Sequence, residues 1–497
     1  MKNRERCFTL LVSVLLLSLL MTNIPYSTDL QETSSQTENI GNHDITINLE
    51  MKEHLAGVVH APITIGSDDE FNTTAFVEGW VGNGSQDSPF IIENYDIDRG
   101  GASGHCINIQ NTSVYFVVRE CYLTGATQLS DAGVYLWNVS NCEISNNIFF
   151  NNSVGIYGRL ENCMISENLV DVGVGGDRCI AFYHTNYTQI VGNNITGPNN
   201  GIRISNGVSN EIRNNHIEMS NGDAMNFSNV DNSTISENHC SGGSIMGIEL
   251  FLCDNNLFDN NLCIDNYIGI GLYTSANNLI DFCSILGNYD GIKVDDSSLN
   301  RILGCNISDN TNDGVFVEPG IANIIVWNEF WNNTGDHIVN AATSTGIDFN
   351  FYDDYIGSDM NGDGYGEEAY SIPGVGSFDY HPLVFQPGIV EWSHTLVDKT
   401  VELGDMFSYD INVTSASPVY NWEIDNGQYS MLDDDDYELL ITSQYFMIDN
   451  DGVLSDKGNL KVGIYQFGIY ATNLYGFSTG AGLTVTVEDT TSPSWIT

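Results

Sequence analysis

Residues 359–367 read Asp-Met-Asn-Gly-Asp-Gly-Tyr-Gly-Glu. Oxygen-bearing side chains at loop positions 1, 3 and 5, with glycine at 6, match the first half of a calcium loop, because a hard cation takes several carboxylate and carbonyl oxygens at once. Asp359, Asn361 and Asp363 would converge, and the Tyr365 carbonyl with Glu367 or Glu368 would complete the shell. Tyr370 stands at position 12, where the pattern has a bidentate Glu. The competing reading is an acidic, glycine-rich turn. Bound Ca2+ with a structural role is the expectation. A second acidic run, Asp433–Asp436, lacks ligand spacing and reads as a solvated loop.

A second constellation is a row of residues at equal spacing. The motif Gly-apolar-x-apolar recurs as GVYL at 133, GIYG at 155, GIRI at 201, GIEL at 247, GIGL at 269, GIKV at 291 and GVFV at 314. If each copy is a strand, its middle residue faces outward. Down the row stand Asn108, Tyr135, Tyr157, Ala181, Arg203, Asn226, Glu249, Gly271, Lys293 and Phe316. Aromatic rings beside amides and charges suit an extended glycan, and Tyr135, Tyr157, Arg203, Asn226, Glu249 and Lys293 are the candidate ligand-binding residues. An ordinary solvated face is the alternative.

Other groups are less complete. His216 and His239 lie 23 residues apart at equivalent places and read either as a transition-metal pair or as surface residues. Asp171, Asp177, Arg178 and His184 form an acid/base-type cluster in one irregular stretch, and Asp290, Asp295 and Asp296 flank Lys293. Glycoside hydrolysis needs two carboxylates at a defined separation. No such set is evident, so no catalytic residue is assigned.

The elements that position these residues follow from a repeat. The pattern apolar-x-x-Asn-x-apolar starts at Ile92, Val118, Ile144, Ile165, Ile190, Ile212, Ile235, Phe258, Ile280, Ile302 and Ile325, in steps of 21 to 26 residues. Its fourth position holds Asn147, Asn168, Asn193, Asn215, Asn238, Asn261 and Asn328, with Tyr95, Cys121, Cys283 and Cys305 in the remaining units. Two short alternating segments per unit, separated by Asn/Gly turns, read as strands. A unit this small cannot bury its own apolar face, so units must stack. Stacking at ~4.8 Å per strand predicts a parallel β-helix of about eleven coils. Asn suits the shared column because it tolerates left-handed backbone and can bond to the next Asn.

Stacking also places Cys142 over Cys163, Cys240 over Cys263 and Cys283 over Cys305. Disulfides and small buried thiols both fit that placement.

Composition limits the partners. The chain has 497 residues, with 15 Lys and Arg against 65 Asp and Glu, a formal net charge of −50. Such a surface repels phosphate backbones, so nucleic acid is excluded as a partner. Residues 1–27 carry three early cations and an apolar run from Phe8 to Met21, which reads as a secretory signal segment. The expectation is a secreted or cell-surface protein with no membrane span after cleavage.

The segments HAPITIGSDDEFNTTAFVEGWVGNGSQDSPFIIENYDI (60–97), the repeats, and FYDDYIGSDMNGDGYGEEAYSIPGVGSFDYHPLV (351–384) together resemble secreted right-handed parallel β-helix repeat proteins, NosD-like members of the pectate-lyase-like superfamily. The resemblance implies the fold, but it leaves activity open among lyases, hydrolases, epimerases and adhesins. For the His216/His239 pair it implies a copper link. Residues 388–489 change texture, with FSYDINV, LKVGIYQFGIYATN and LTVTVED. They are similar to cadherin-like or immunoglobulin-like sandwich modules.

The expected organisation is a signal segment (1–27), lead-in and cap (28–90), β-helix (91–350), closing segment (351–387), antiparallel β-sandwich (388–489) and linker (490–497). The expected function is non-catalytic adhesion or carbohydrate contact, with a polysaccharide or cell-surface glycan as partner. A polysaccharide lyase or glycoside hydrolase, or a copper-linked accessory protein, are the alternatives.

Overall fold

The structure is a computed structural model that describes residues 57–490, apart from 174, 243–244, 386–390, 393–395, 412, 415–418, 431–437, 450–451 and 474–477. The signal segment and Asp433–Asp436 lie outside the described residues.

Residues 58–352 wind into a parallel β-helix whose coils contribute to three long sheets. Sheet I has 13 strands, from Val58–Val59 to Phe351–Tyr352; sheet II has 12, from Ile63–Ile65 to Ile338–Asn340; sheet III has 12, from Phe90–Glu93 to Gly346–Asp348. Every third strand in the chain pairs with its predecessor, and all these pairings are parallel, as in Met164↔Gln189 and Ala181↔Arg203. Each coil thus carries three strands, where the alternation in the sequence suggests two. The difference lies at one corner of the repeat: a residue at positive φ, such as Asn146 (56°) or Asn214 (55°), breaks what reads as one segment into a sheet III strand and a sheet I strand.

The anchor column is in register throughout sheet III, including Ile144↔Ile165, Ile212↔Ile235 and Ile280↔Ile302. It gains a twelfth member, Ile347, opposite Ile325. These side chains are buried in one continuous core with the inward residues of sheets I and II.

Polar ladders hold the corners. Beside the anchor column, Asn193 N and Nδ2 donate to Asn215 Oδ1 at 3.0 and 2.9 Å, and Asn215 repeats both bonds to Asn238. Two further ladders, unforeseen from the repeat, occupy the other corners: Asn256–Asn278–Asn300–Asn323 and Asn266–Asn288–Asn310–Asn333. A buried amide has two donors and an acceptor to satisfy, and a ladder meets all of them with its neighbours.

The ten described cysteines are all buried thiols with no disulfide among them. Cys240 and Cys263 are register partners, and Cys142 N donates to Cys163 Sγ at 3.2 Å. The sulfurs act as ladder acceptors and core filler. Burial pushes the Cys121 and Cys253 thiols up to about 12, which keeps them protonated and unreactive.

The chain is nearly all β. Among the described residues the exceptions are one 3-10 turn, Thr442–Gln444, and one α-helix, α1 (Asp68–Glu78), beside the first coils. Its N-cap Ser67 accepts from Glu70 N, and Gly79 closes it at φ 73°. Phe71 anchors it against Phe90 and Phe116, with ring centroids at 5.3 and 5.0 Å. The Ser67-x-x-Glu70 spacing is a capping signal, but the exposed Phe76 and Val77 blur the helical period.

At the other end, Asp379 from a short hairpin (Tyr370–Ile372 with Ser377–Asp379) terminates the first ladder by accepting from Asn350 N and Nδ2. Residues 391–488 add a small region of mainly antiparallel sheet around Gly463–Asn473 and Ser478–Glu488, with its own core of Phe407, Phe446, Tyr465 and Phe467.

Candidate functional site

Sheet II places the candidate row in a single column. Consecutive register pairs are Asn108↔Tyr135, Tyr135↔Tyr157, Tyr157↔Ala181, Ala181↔Arg203, Arg203↔Asn226, Asn226↔Glu249, Glu249↔Gly271, Gly271↔Lys293 and Lys293↔Phe316. Period-2 alternation sends all of these outward, and the parallel register aligns them rung upon rung. The column is half-buried, and Ala181 and Gly271 are fully covered. Ala181 lies in a small outer apolar cluster with Ala132 and Val154, beneath Tyr135 and Tyr157.

The aromatic end is a stack. His105 lies 4.3 Å from Tyr135, and Tyr135 lies 5.7 Å from Tyr157, with interplanar angles of 18° and 27°. Both faces of Tyr135 are therefore occupied by neighbouring rings. Tyr157 gives one face to this stack.

The polar centre is a carboxyl pair. Asn226 Nδ2 donates to Asp223 Oδ2 at 3.0 Å and also to Glu249 Oε2. Asp223 also accepts from Met246 N at 3.2 Å and is only 7% exposed. Burial raises the Asp223 carboxyl, against the pull of Asn226. Burial and then the Asp223 charge raise Glu249, while Arg203 opposes both shifts. Asn226 thus holds the two carboxyls to one amide nitrogen, and burial raises both of them.

Tyr273 lies across the bare backbone of Gly271, and burial with Glu249 and Asp295 nearby pushes its phenol up to about 12. Further along, Lys293 Nζ bridges Asp295 at 3.7 Å and Glu318 at 3.6 Å. Asp223 is the member sequence reasoning missed: its strand reads DAMNF, without the glycine that marks the motif. The acids Asp290 and Asp313, three residues before Lys293 and Phe316, are the signal that an alignment of the coils would have used.

The remaining candidates separate. Asp359 Oδ1 accepts from Gly362 N (2.6 Å) and Asp363 N (3.1 Å), and Oδ2 from Gly364 N (2.8 Å). Asn361 Nδ2 donates to Asp363 Oδ2 at 3.0 Å. Glu368, not Glu367, reaches back to the loop, accepting from Ser358 N at 3.3 Å. Tyr370, at the twelfth position, stacks on Tyr352 at 3.8 Å in the end cap. His216 and His239 are register partners with rings 4.6 Å apart at 81°. The cluster of Asp171, Asp177, Arg178 and His184 resolves into local contacts: Asp177 pairs with Arg178, Asp171 caps Gly173 N, and His184 bonds Asn186.

Among the described residues, one group of three His/Cys/Asp/Glu side chains brings its ligand atoms within 4.8 Å: His337, Asp353 and Asp354. Its hydrogen bonds settle what His337 can do. Asn333 Oδ1 accepts from Asn310 Nδ2 (2.8 Å), and its Nδ2 donates to Ile307 O (2.9 Å), so the ladder fixes the amide's orientation. That orientation turns Nδ2 toward His337 Nδ1 at 3.2 Å, which makes Nδ1 the acceptor and places the ring proton on Nε2. Nε2 then donates to Asp353 at 2.9 Å. A nitrogen carrying its proton has no lone pair for a metal.

Among the described residues no helix is long and apolar enough to cross a membrane.

A family described as periplasmic copper-binding protein (NosD) matches residues 67–225 and 218–364, together more than half of the chain. No curated protein sequence matches it. Among solved structures, the Dettilon tailspike protein shares 13% identity over 89% of this chain and 96% of its own, with a TM-score of 0.43. The mannuronan C-5 epimerase A-module of Azotobacter vinelandii shares 13% over 59% and 98%, with a TM-score of 0.38. A periplasmic alginate epimerase shares 13% over 63% and 89%, also with a TM-score of 0.38.

Proposed function

The chain belongs to the NosD family, and from that premise we propose that it is an exported β-helix protein that contacts carbohydrate along the outer column of sheet II. The observation that carries this reading is the unbroken register from Tyr135 to Lys293, which lines up phenols, an amide, one guanidinium, a carboxyl and an ammonium at the rise of one coil. Such a row offers an extended chain of sugar rings repeated donors and acceptors. Arg203 and Lys293 supply cationic points on a face that is otherwise acidic. The N-terminal apolar segment and the family's periplasmic description support export. The test is binding of neutral and acidic polysaccharides to the protein and to Arg203→Ala and Asn226→Ala. Unchanged binding by both variants would remove the column from the reading.

Calcium is proposed as a structural ion at the closing segment. Asp359, Asn361, Asp363, the Tyr365 carbonyl and Glu367 are the residues that would hold it, and the ion would stiffen the loop that follows the last coil. The fit rests on the Asp359 carboxylate, which already gathers three backbone N–H groups and folds the loop around itself. Glu367 is exposed, so the shell on that side would draw on water.

The donor sets do not fit the copper chemistry of the family description. His337 is held as an Nε2–H donor, and His216 with His239 supplies two imidazoles with no third His, Cys or carboxylate ligand beside them among the described residues.

One observation favours a polysaccharide lyase or hydrolase as a second reading: Asn226 gathers the Asp223 and Glu249 carboxyls beside the ligand-facing column, and burial raises both. The Asn226 amide stands between them, where a glycosidase with carboxyls ~5–9.5 Å apart leaves room for the scissile bond. That pair alone therefore does not make a hydrolase. Release of reducing ends or unsaturated products, abolished in Glu249→Gln, would establish the catalytic reading over the binding one.

A further inference from the structure

A groove of about 420 Å³ opens over the second to fifth strands of sheet III, away from the column described above. Its floor includes Glu143, Met164 and Gln189, consecutive register partners on the outer side of the sheet. Tyr115, Tyr187 and Asn162 also line it.

Three features of this groove point to a ligand. The polar groups are pre-oriented: Gln189 Nε2 is tied to Glu211 Oε2 at 2.9 Å, Asn162 Nδ2 to Asn141 Oδ1 at 2.8 Å, and Glu143 Oε1 accepts from Ser145 Oγ at 2.7 Å. The charge is one-sided, with Glu143 the single ionisable carboxylate and no Arg, Lys or His in the lining. The third is Tyr187, an aromatic ring 59% exposed at the groove, in the turn before its sheet III strand where the equivalent turns place mostly Asn, with Ser209, Leu299 and Ala322 in others. Left-handed backbone recurs at the corners of this chain, at Phe282, Trp327 and Phe349 among others, so the exposed ring and not its φ is the signal.

We propose that this groove binds an uncharged sugar ring. Tyr187 would meet its C–H face, and Glu143, Gln189 and Asn162 would bond its hydroxyls. Aromatic rings beside amides and a carboxylate match a ligand that is apolar on its faces and hydroxylated at its edge. A uronate or sulfated sugar is disfavoured by Glu143 and by a chain of net charge −50. The proposal rests on the carbohydrate reading above but moves to a second sheet and to the opposite charge preference.

The test is calorimetric titration of the whole protein with neutral glucose- and galactose-based oligosaccharides and with oligouronates. A neutral oligosaccharide is expected to bind, and every oligouronate to bind more weakly in this groove. Tyr187→Asn should weaken neutral binding by about tenfold or more, while its thermal midpoint stays equal or rises, because Asn suits the left-handed turn. Gln189→Ala should also weaken binding, with no change in fold. Tyr135→Ala, on sheet II, should leave this binding intact. Absence of neutral binding, or wild-type binding by Tyr187→Asn, overturns the groove. Loss of glycan binding in Arg203→Ala with no effect of Tyr187→Asn would sink the groove and spare the sheet II reading.

Discussion

Replacement of Asn215 by Ala tests the ladder as the stabilising device of the helix. Asn215 is 1% exposed. Its Oδ1 accepts from Asn193 N and Nδ2, and its Nδ2 donates to Ile190 O (2.9 Å), Arg213 O (3.1 Å) and Asn238 Oδ1 (2.9 Å). Truncation leaves the Asn193 N–H without its acceptor in a corner closed to water. One orphaned donor costs about 1–3 kcal/mol and each further lost bond about 0.5–1.5, giving roughly 3–5 kcal/mol once partial relaxation is allowed. That is a large share of a typical stability of about 5–15 kcal/mol.

Asn277→Gly supplies the control. Asn277 is exposed, stands at φ 57° and donates only to Asn255 Oδ1 along a solvent-facing column. Glycine accepts that backbone, so the change should cost under about 1 kcal/mol. A third variant, Asn215→Cys, should fall between the two. Cys283 and Cys305 already occupy this column, and Asn261 Nδ2 donates to Cys283 Sγ at 3.8 Å. The assay is guanidinium unfolding followed by circular dichroism, with the slope checked for a change in cooperativity. Equal destabilisation by Asn215→Ala and Asn277→Gly would refute the argument, because burial of the amide would then carry no energetic weight.

Three further outcomes are expected. Asp281 is raised to about 6 by burial and by Asp259, its register partner. The folded state therefore holds this proton more tightly than the unfolded chain, so the stabilisation is complete below about pH 4 and is lost as pH rises through about 6. Asp281→Asn should flatten that decline in a pH series of thermal midpoints, and an unchanged slope would contradict the assignment. Calcium should raise the thermal midpoint and a chelator reverse it, with Asp359→Asn abolishing the response; a wild-type response in that variant would place the ion elsewhere. Because the described cysteines are thiols, dithiothreitol should leave the midpoint unchanged, whereas a drop of several degrees would reveal a disulfide.

The helix was legible in the sequence because its code is local and repeated. One apolar anchor per unit and an Asn in seven of the eleven are enough to predict parallel stacking, since neither can be satisfied inside a unit of 21 to 26 residues. The same periodicity predicted the column from Tyr135 to Lys293, as parallel register turns equal spacing into vertical alignment. Three strands per coil were hidden because strands of three residues carry too little alternation to be separated from their turns.

Tertiary structure decided what each aligned residue is free to do. Stacking of His105, Tyr135 and Tyr157 occupies both faces of Tyr135 and one face of Tyr157, a matter of rotamer and neighbour that spacing does not encode. The link that Asn226 makes between Asp223 and Glu249 joins residues on neighbouring coils, so no single motif contains it. The tautomer of His337 is set by an amide whose own orientation is dictated one coil earlier by Asn310. Local sequence determines which residues share a rung, because backbone periodicity is a property of the chain. Proton positions, ring contacts and burial belong to groups that meet only after the coils have closed on one another.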